Sequence, residues 1–251
     1  MATTATGVAV DEQTYTAPDG AQVTLARFRS GQVHYALHPG SSDPPGAASL
    51  AGVPGPAITP QEQPALLGAF NGGFEEGAGA EGFLINGQTV ESLQNGLASM
   101  VIYADGTAQV GVWGQNVPAA GAQVVSVRQN LEPLVQGGQP SPDIDNISTW
   151  GATLGGGSSV ARSAVGQDAQ GNIIYAGSMQ ALPSDMAAAL VQAGAVTAME
   201  LDINPEWVQL AVASAPGGPL SAGVPGQNRP ADQYQEGWTR DFFTVLYAPS
   251  S

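Results

Sequence analysis

Ala161-Arg162-Ser163-Ala164-Val165-Gly166 leads into the turn Asp168-Ala169-Gln170-Gly171-Asn172, and Ile173-Ile174-Tyr175-Ala176-Gly177 follows. Two apolar runs joined by a short Gly/Asn turn predict an antiparallel hairpin. Pro183-Ser184-Asp185 then opens the best helix of the chain, which runs to about Ala193 with Gly194 as its stop. Ala195 to Asp202 reads as a further strand. Hairpin, helix and strand in this order are the kernel of an α+β fold.

The same grammar extends outward. Val23 to Phe28 and Val33 to Leu37 alternate as strands, and Pro39 to Pro56 reads as a surface connector. Thr59-Pro60-Gln61-Glu62 has the form of a capping box, predicting a short helix cut off by Pro64. Leu66 to Phe70 is an apolar strand entering the tight turn Asn71-Gly72-Gly73-Phe74, and residues 75 to 82 read as an exposed loop. Phe83 to Val90 is a hairpin whose Asn86-Gly87 suits a type I′ turn. Ser99 to Trp113 is another, turning at Ala104-Asp105-Gly106. Val124 to Val127 and the closing run Phe242 to Tyr247 add strands, while 214 to 236 reads as loop. The expectation is α+β: a largely antiparallel mixed sheet with a few packed helices. It forms a single domain over residues 1–251, with flexible ends at 1–20 and 248–251.

Composition narrows the function. Six basic and 21 acidic residues give a net charge of -15, and every basic residue is Arg. So negative a surface repels nucleic acid and anionic lipid. No apolar run reaches membrane-spanning length. Without cysteine there is neither a disulfide framework nor a thiolate metal site. A carboxylate-bound Ca²⁺ or Mg²⁺ stays open, without a loop signature, and no other cofactor is expected. A lysine-free chain with 34 Gly and 19 Pro resembles exported proteins of high-GC bacteria. It is expected to be secreted or associated with the cell envelope. The opening Met1-Ala2-Thr3-Thr4-Ala5 is no signal segment, so either the protein is cytoplasmic or a signal or anchor lies outside this sequence.

Several groups could carry chemistry. Asn71, Gly72 and Gly73 end a strand, where glycines permit positive φ and close approach of a ligand; a plain tight turn is the alternative. Arg162 can bind a phosphate bidentately or form an ion pair. In Met199-Glu200-Leu201-Asp202-Ile203-Asn204, strand alternation puts Glu200, Asp202 and Asn204 on one face, with the two carboxylates about 7 Å apart. Such a pair can split its pKa values into an acid and a base, or can merely face solvent on an edge strand. Trp207 could stack on a sugar or cover the core. Leu154 to Ser159 is either an anion nest or a loop. His34 and His38 are too few for a metal site.

The order of these motifs is more telling than any one of them. Asn71-Gly72-Gly73-Phe74, then Arg162-Ser163-Ala164-Val165-Gly166, then a turn, a strand, a helix and a strand ending Leu201-Asp202 resembles the phosphodiester glycosidase family over roughly residues 20 to 247. The resemblance implies an α/β fold with a mixed sheet and hydrolysis of a sugar-1-phosphodiester, with a carbohydrate or sugar phosphate as ligand. Asn71, Arg162 and Asp202 match the family's Asn, Arg and Asp. On that reading Asn71 and Arg162 hold phosphodiester oxygens. Asp202 acts as acid/base or as nucleophile at the anomeric carbon, with Glu200 as a possible partner. One departure matters: where the family continues Leu-Asp-Gly-Gly-Gly-Ser, this chain reads Leu201-Asp202-Ile203-Asn204-Pro205-Glu206-Trp207. Ile and Pro cannot offer the same backbone approach. A non-catalytic glycan- or sugar-phosphate-binding domain is the alternative, followed by an envelope interaction module.

Overall fold

The structure is a computed structural model that describes residues 3–6, 9–78, 82–151 and 156–249. It contains three sheets, and every pair of named strands is antiparallel. The eight-stranded sheet runs β1 (Thr3–Thr6), β2 (Val10–Thr16), β3 (Gln22–Phe28), β14 (Ile173–Ala181), β13 (Val160–Asp168), β15 (Ala195–Glu200), β11 (Val135–Gln136), β12 (Gln139–Pro140). A five-stranded sheet orders β7 (Gln88–Glu91), β6 (Phe83–Ile85), β10 (Val124–Gln129), β8 (Ala98–Tyr103), β9 (Ala108–Val112). The third orders β17 (Leu220–Ala222), β16 (Leu210–Ala213), β5 (Leu66–Asn71), β18 (Phe242–Tyr247), β4 (Val33–His38). Helices are α1 (Pro183–Gln192) and the single turn α2 (Gln233–Glu236).

This is the expected α+β class with mostly antiparallel strands and few helices, divided among three sheets instead of one. The mixed sheet implied by the resemblance is absent among the described residues, whose one parallel contact is the isolated bridge Trp113–Val117.

The large sheet is sandwiched. On β14, Ile173 and Tyr175 enter the main core shared with the two smaller sheets, while Ile174 and Ala176 enter a second core under α1. Strand alternation makes this division. Residues Met186, Ala187, Ala189 and Leu190 form the buried face of α1. The helix starts at Pro183, where the missing N–H costs nothing, and Asp185 accepts the N–H of Leu182 at 2.9 Å. It stops at Gly194, φ 94°.

Local turn chemistry works as read: Asn86 (φ 48°) and Gly87 (φ 71°) both take the left-handed conformation a type I′ turn needs. Four local expectations are corrected. The Thr59–Glu62 box forms no α-helix. Glu62 does accept from the Thr59 N–H and hydroxyl, but Pro64 leaves only a 3₁₀ turn at Gln63–Ala65. Part of the leading segment expected to be flexible is β2, paired with β3 at seven positions. The connector after β4 is partly interior, with Asp43, Pro44 and Ala47 buried. The stretch 214–236 contains β17 and α2. Of the expected loop at 75–82, residues 75–78 are exposed, Gly82 is buried, and 79–81 lie outside the described residues. Leu154 and Gly155 of the Gly/Ser run also lie outside them.

Candidate active site

Asp202 sits just past β15, where the chain leaves the large sheet. Ser163 of β13 holds it there: the Ser163 N–H donates to the Asp202 carbonyl at 2.8 Å, and the Asp202 N–H donates to Ser163 Oγ at 3.1 Å. Asn130 ties this point to the turn after β5. Its Oδ1 accepts from the Phe74 N–H at 3.2 Å, and its amide donates to the carbonyls of Glu200 and Leu201. Three segments far apart in sequence are thus fixed to one another by hydrogen bonds in the dry interior.

The Asp202 side chain reaches a cleft of about 810 Å³. Its walls are apolar (Phe74, Val160, Ala161, Met179, Ile203, Pro205), and its polar groups are Glu75, Asp202, Asn204, Glu206 and Arg240. Two further clefts have, among the described residues, the exposed Asp19 and Glu132 as their charged lining. Burial pushes the Asp202 carboxyl up to about 7, against the Arg240 guanidinium and the N–H groups of Asn204 and Ile203, which pull it down. A buried carboxyl in a ligand-sized cleft that titrates near neutrality has the chemistry of a general acid.

Arg240 is the residue that reading the sequence missed. It precedes β18, and its Nε lies 3.0 Å from Asp43 Oδ2. Nη2 lies 3.5 Å from Asp202 Oδ2 and donates to the Gly73 carbonyl at 3.1 Å; Nη1 lies 3.9 Å from Glu75. The guanidinium stacks 5.2 Å from the Trp207 ring. The one available signal was scarcity: an Arg two residues before an apolar strand in a chain with six.

The expected site residues divide into two sets. Asp202, Asn204 and Trp207 line the cleft. Asn204 donates its N–H to Asp202 Oδ1 at 2.8 Å, and its own Oδ1 accepts from the Glu206 N–H. Trp207 packs edge-on against Trp238 at 5.3 Å and holds Arg240, so one indole does both covering and site work.

Asn71, Gly72, Gly73, Arg162 and Glu200 lie beneath the cleft and do not line it. Arg162 is fully buried; its Nη1 meets Glu200 Oε1 at 2.6 Å and its remaining donors go to the carbonyls of Ala181, Trp150 and Ser158. That guanidinium is occupied by Glu200 and backbone, not presented to a phosphate. Burial pushes the Glu200 carboxyl up and Arg162 opposes it. The shared face predicted for Glu200 and Asp202 is therefore split, Glu200 going to Arg162 and Asp202 to the cleft. Nor is β15 an edge strand, since it pairs with β13 and β11.

Asn71 is likewise saturated. Its amide donates to Ser163 Oγ at 2.8 Å, and its Oδ1 accepts from the Tyr175 hydroxyl and the Gln209 N–H. Gly72 and Gly73 have no positive φ. Their missing side chains instead make room for protein: a Cβ on Gly72 would overlap the Asp241 carboxylate, and one on Gly73 would press on the Arg128 guanidinium. Arg128 and Asp241 are themselves a buried pair at 3.0 Å.

His34 is exposed and His38 is buried away from the cleft. Among the described residues no group of three or more His, Cys, Asp or Glu could hold a metal.

A sequence profile of the phosphodiester glycosidase family matches residues 65–202, more than half of the chain. The chain belongs to the phosphodiester glycosidase family. Among solved structures, the chain resembles the zebrafish N-acetylglucosamine-1-phosphodiester alpha-N-acetylglucosaminidase catalytic domain, auto-inhibited by its pro-peptide. The TM-score is 0.56 at 15% identity, over 95% of this chain and 82% of that one. It also resembles a hypothetical protein from Synechocystis, with a TM-score of 0.51 at 16% identity over 96% of this chain and 62% of that one. At these identities the likeness establishes a common fold. No curated protein sequence matches significantly. The family match ends at Asp202, so the Ile203–Trp207 segment and Arg240, which complete the cleft, lie outside it.

Proposed function

We propose that this protein hydrolyses the glycosidic bond of a sugar-1-phosphodiester, N-acetylglucosamine-like, with Asp202 as general acid and Arg240 as the anion-binding group. The observation that carries this reading is the pairing of an Asp202 carboxyl raised to about 7 with the Arg240 guanidinium 3.5 Å away, in a cleft of ligand size. When the bond from C1 to the phosphate oxygen breaks, a singly charged diester becomes a monoester that must take a second charge or a proton. Asp202 donates that proton, and Arg240 balances the charge that remains. Water supplies the hydroxyl at C1, and its surplus proton restores Asp202. Arg162 and Glu200 act from beneath, fixing β13 against β15 so that Asp202 is presented.

Family membership and the fold support the reaction class, and the cleft supports the site. The family implies glycan substrates met outside the cytoplasm, so we place the protein in the secreted or envelope-associated fraction, as one domain. The described residues contain no helix long and apolar enough to cross a membrane.

A second reading, a sugar-phosphate-binding domain without turnover, is favoured by one observation. Ile203 and Pro205 line the cleft where the family has glycines. The test is sugar release from N-acetylglucosamine-1-phosphodiesters by the parent, Asp202→Asn and Arg240→Ala. Release that both substitutions abolish supports the hydrolase. Binding without release, weakened by Arg240→Ala, supports the binding domain.

A further inference from the structure

The charge inventory of the cleft is lopsided. Among the described residues its lining holds one cation, Arg240, and three carboxylates: Glu75, Asp202 and Glu206. Arg240 also contacts Asp43. Glu206 is matched from outside the lining by Arg229 at 2.6 Å, which leaves Arg240 to serve the rest. Of the carboxylates around Arg240, Glu75 is the weakly held one. Its side chain is 68% exposed and stands 3.9 Å from Nη1, whereas Asp43 and Asp202 are buried and closer. One incoming anion can replace Glu75 on that nitrogen. A second would meet carboxylates with no cation left for it.

The remaining walls point the same way. Val160 and Ala161 of β13, Met179 of β14, Phe74 and Ile203 present hydrocarbon or thioether to the cleft. A hydrophilic second sugar would leave its hydroxyls unpaired against them, and an alkyl chain would not.

Resting on the hydrolase reading, we propose that the preferred substrate is a monoanionic sugar phosphodiester whose second ester carries an alkyl chain, and that Glu75 discriminates against nucleotide-diphosphate sugars. Glu75 yields Arg240 to one phosphodiester and repels a pyrophosphate. It also repels the monoester product once that product gains its second charge, which favours release. Met179 and Ile203 take the alkyl chain.

The experiment compares N-acetylglucosamine-α-1-phosphate octyl ester, its methyl ester and UDP-N-acetylglucosamine as substrates of the parent, Glu75→Gln and Met179→Gln. Burying several methylenes should raise kcat/KM for the octyl ester over the methyl ester by about tenfold or more. UDP-N-acetylglucosamine should be the poorest of the three and should gain several-fold in Glu75→Gln. Met179→Gln should narrow the octyl-to-methyl ratio. Equal turnover of octyl and methyl esters within about twofold, or a preference for the UDP sugar, would overturn the proposal while leaving the hydrolase intact. If no ester is cleaved, the hydrolase reading fails instead. The cleft's preference is then read from tryptophan fluorescence with methyl octyl phosphate and dimethyl phosphate, both monoanionic diesters. About tenfold tighter binding of the octyl compound sustains the specificity, and equal binding overturns it.

Discussion

Replacing Asp202 by Asn should stabilise the protein above neutral pH, and the gain should grow with pH in a defined window. In the fold the Asp202 carboxyl titrates near 7, against 3.8 for the free side chain. Because its folded value is raised, the native state holds this proton after the unfolded state has lost it. Stability attributable to the group therefore falls as pH rises from about 4 to 7, and the full cost applies above 7. A shift from 3.8 to 7 corresponds to a ceiling of about 4 kcal/mol. An effective interior dielectric nearer 20 than 4 brings the expectation to about 2 kcal/mol. The substituted amide would carry no proton to lose, keep the side-chain oxygen that accepts the Asn204 N–H, and escape the cost. For a chain of 251 residues the gain is roughly 4–8 °C in Tm at pH 8, shrinking to near zero at pH 4. Thermal melts of parent and variant at pH 4, 6 and 8 measure it. A difference independent of pH, or a variant less stable than the parent at pH 8, would refute the claim that burial raises this carboxyl.

Three further outcomes follow from the same geometry. With Asp202 as the acid, kcat/KM should fall about tenfold per pH unit above roughly 7, measured as initial rates of sugar release across pH 5–9. Arg162→Leu should strand the buried Glu200 carboxylate and cost about 3–5 kcal/mol in urea denaturation. Adding Glu200→Leu should recover most of that loss, since a buried pair is costly to break and cheap to replace. His38 is buried between the Gly55 carbonyl at 3.0 Å and Glu62 at 2.8 Å, stacked on Phe242. His38→Ala should cost about 3 kcal/mol by the same assay and leave KM for substrate unaltered.

What was legible in the sequence is what short-range chemistry fixes. The Asn86-Gly87 turn follows from two left-handed residues in a row, and α1 follows from Pro183, Asp185 and Gly194. Strand β2 could not be bounded because Asp11, Glu12, Gln13 and Thr14 break the apolar alternation; its pairing with β3 rests on the ladder more than on side-chain burial. The division into three sheets was not legible, because it depends on pairings such as Leu25 with Ala176, set by long-range packing. Strand period two singled out Asp202, and the structure places it in the cleft. The same period could not show that Arg162 on the neighbouring strand would claim Glu200. Asn71-Gly72-Gly73 carried the family resemblance correctly, yet its role is internal: it admits Asp241 and Arg128 where a ligand was expected. Arg240 stands far beyond Asp202 in the chain, and only the β5–β18 pairing, Asn71 beside Phe242, brings it to the cleft.

The most direct measurement is release of N-acetylglucosamine from its 1-phosphodiesters by the purified protein, beside Asp202→Asn and Arg240→Ala. The account predicts release by the parent and its loss in both variants, with Asp202→Asn still folded and more heat-stable at pH 8. Release that survives Asp202→Asn would contradict it, because the carboxyl at the centre of the cleft would then not be the acid.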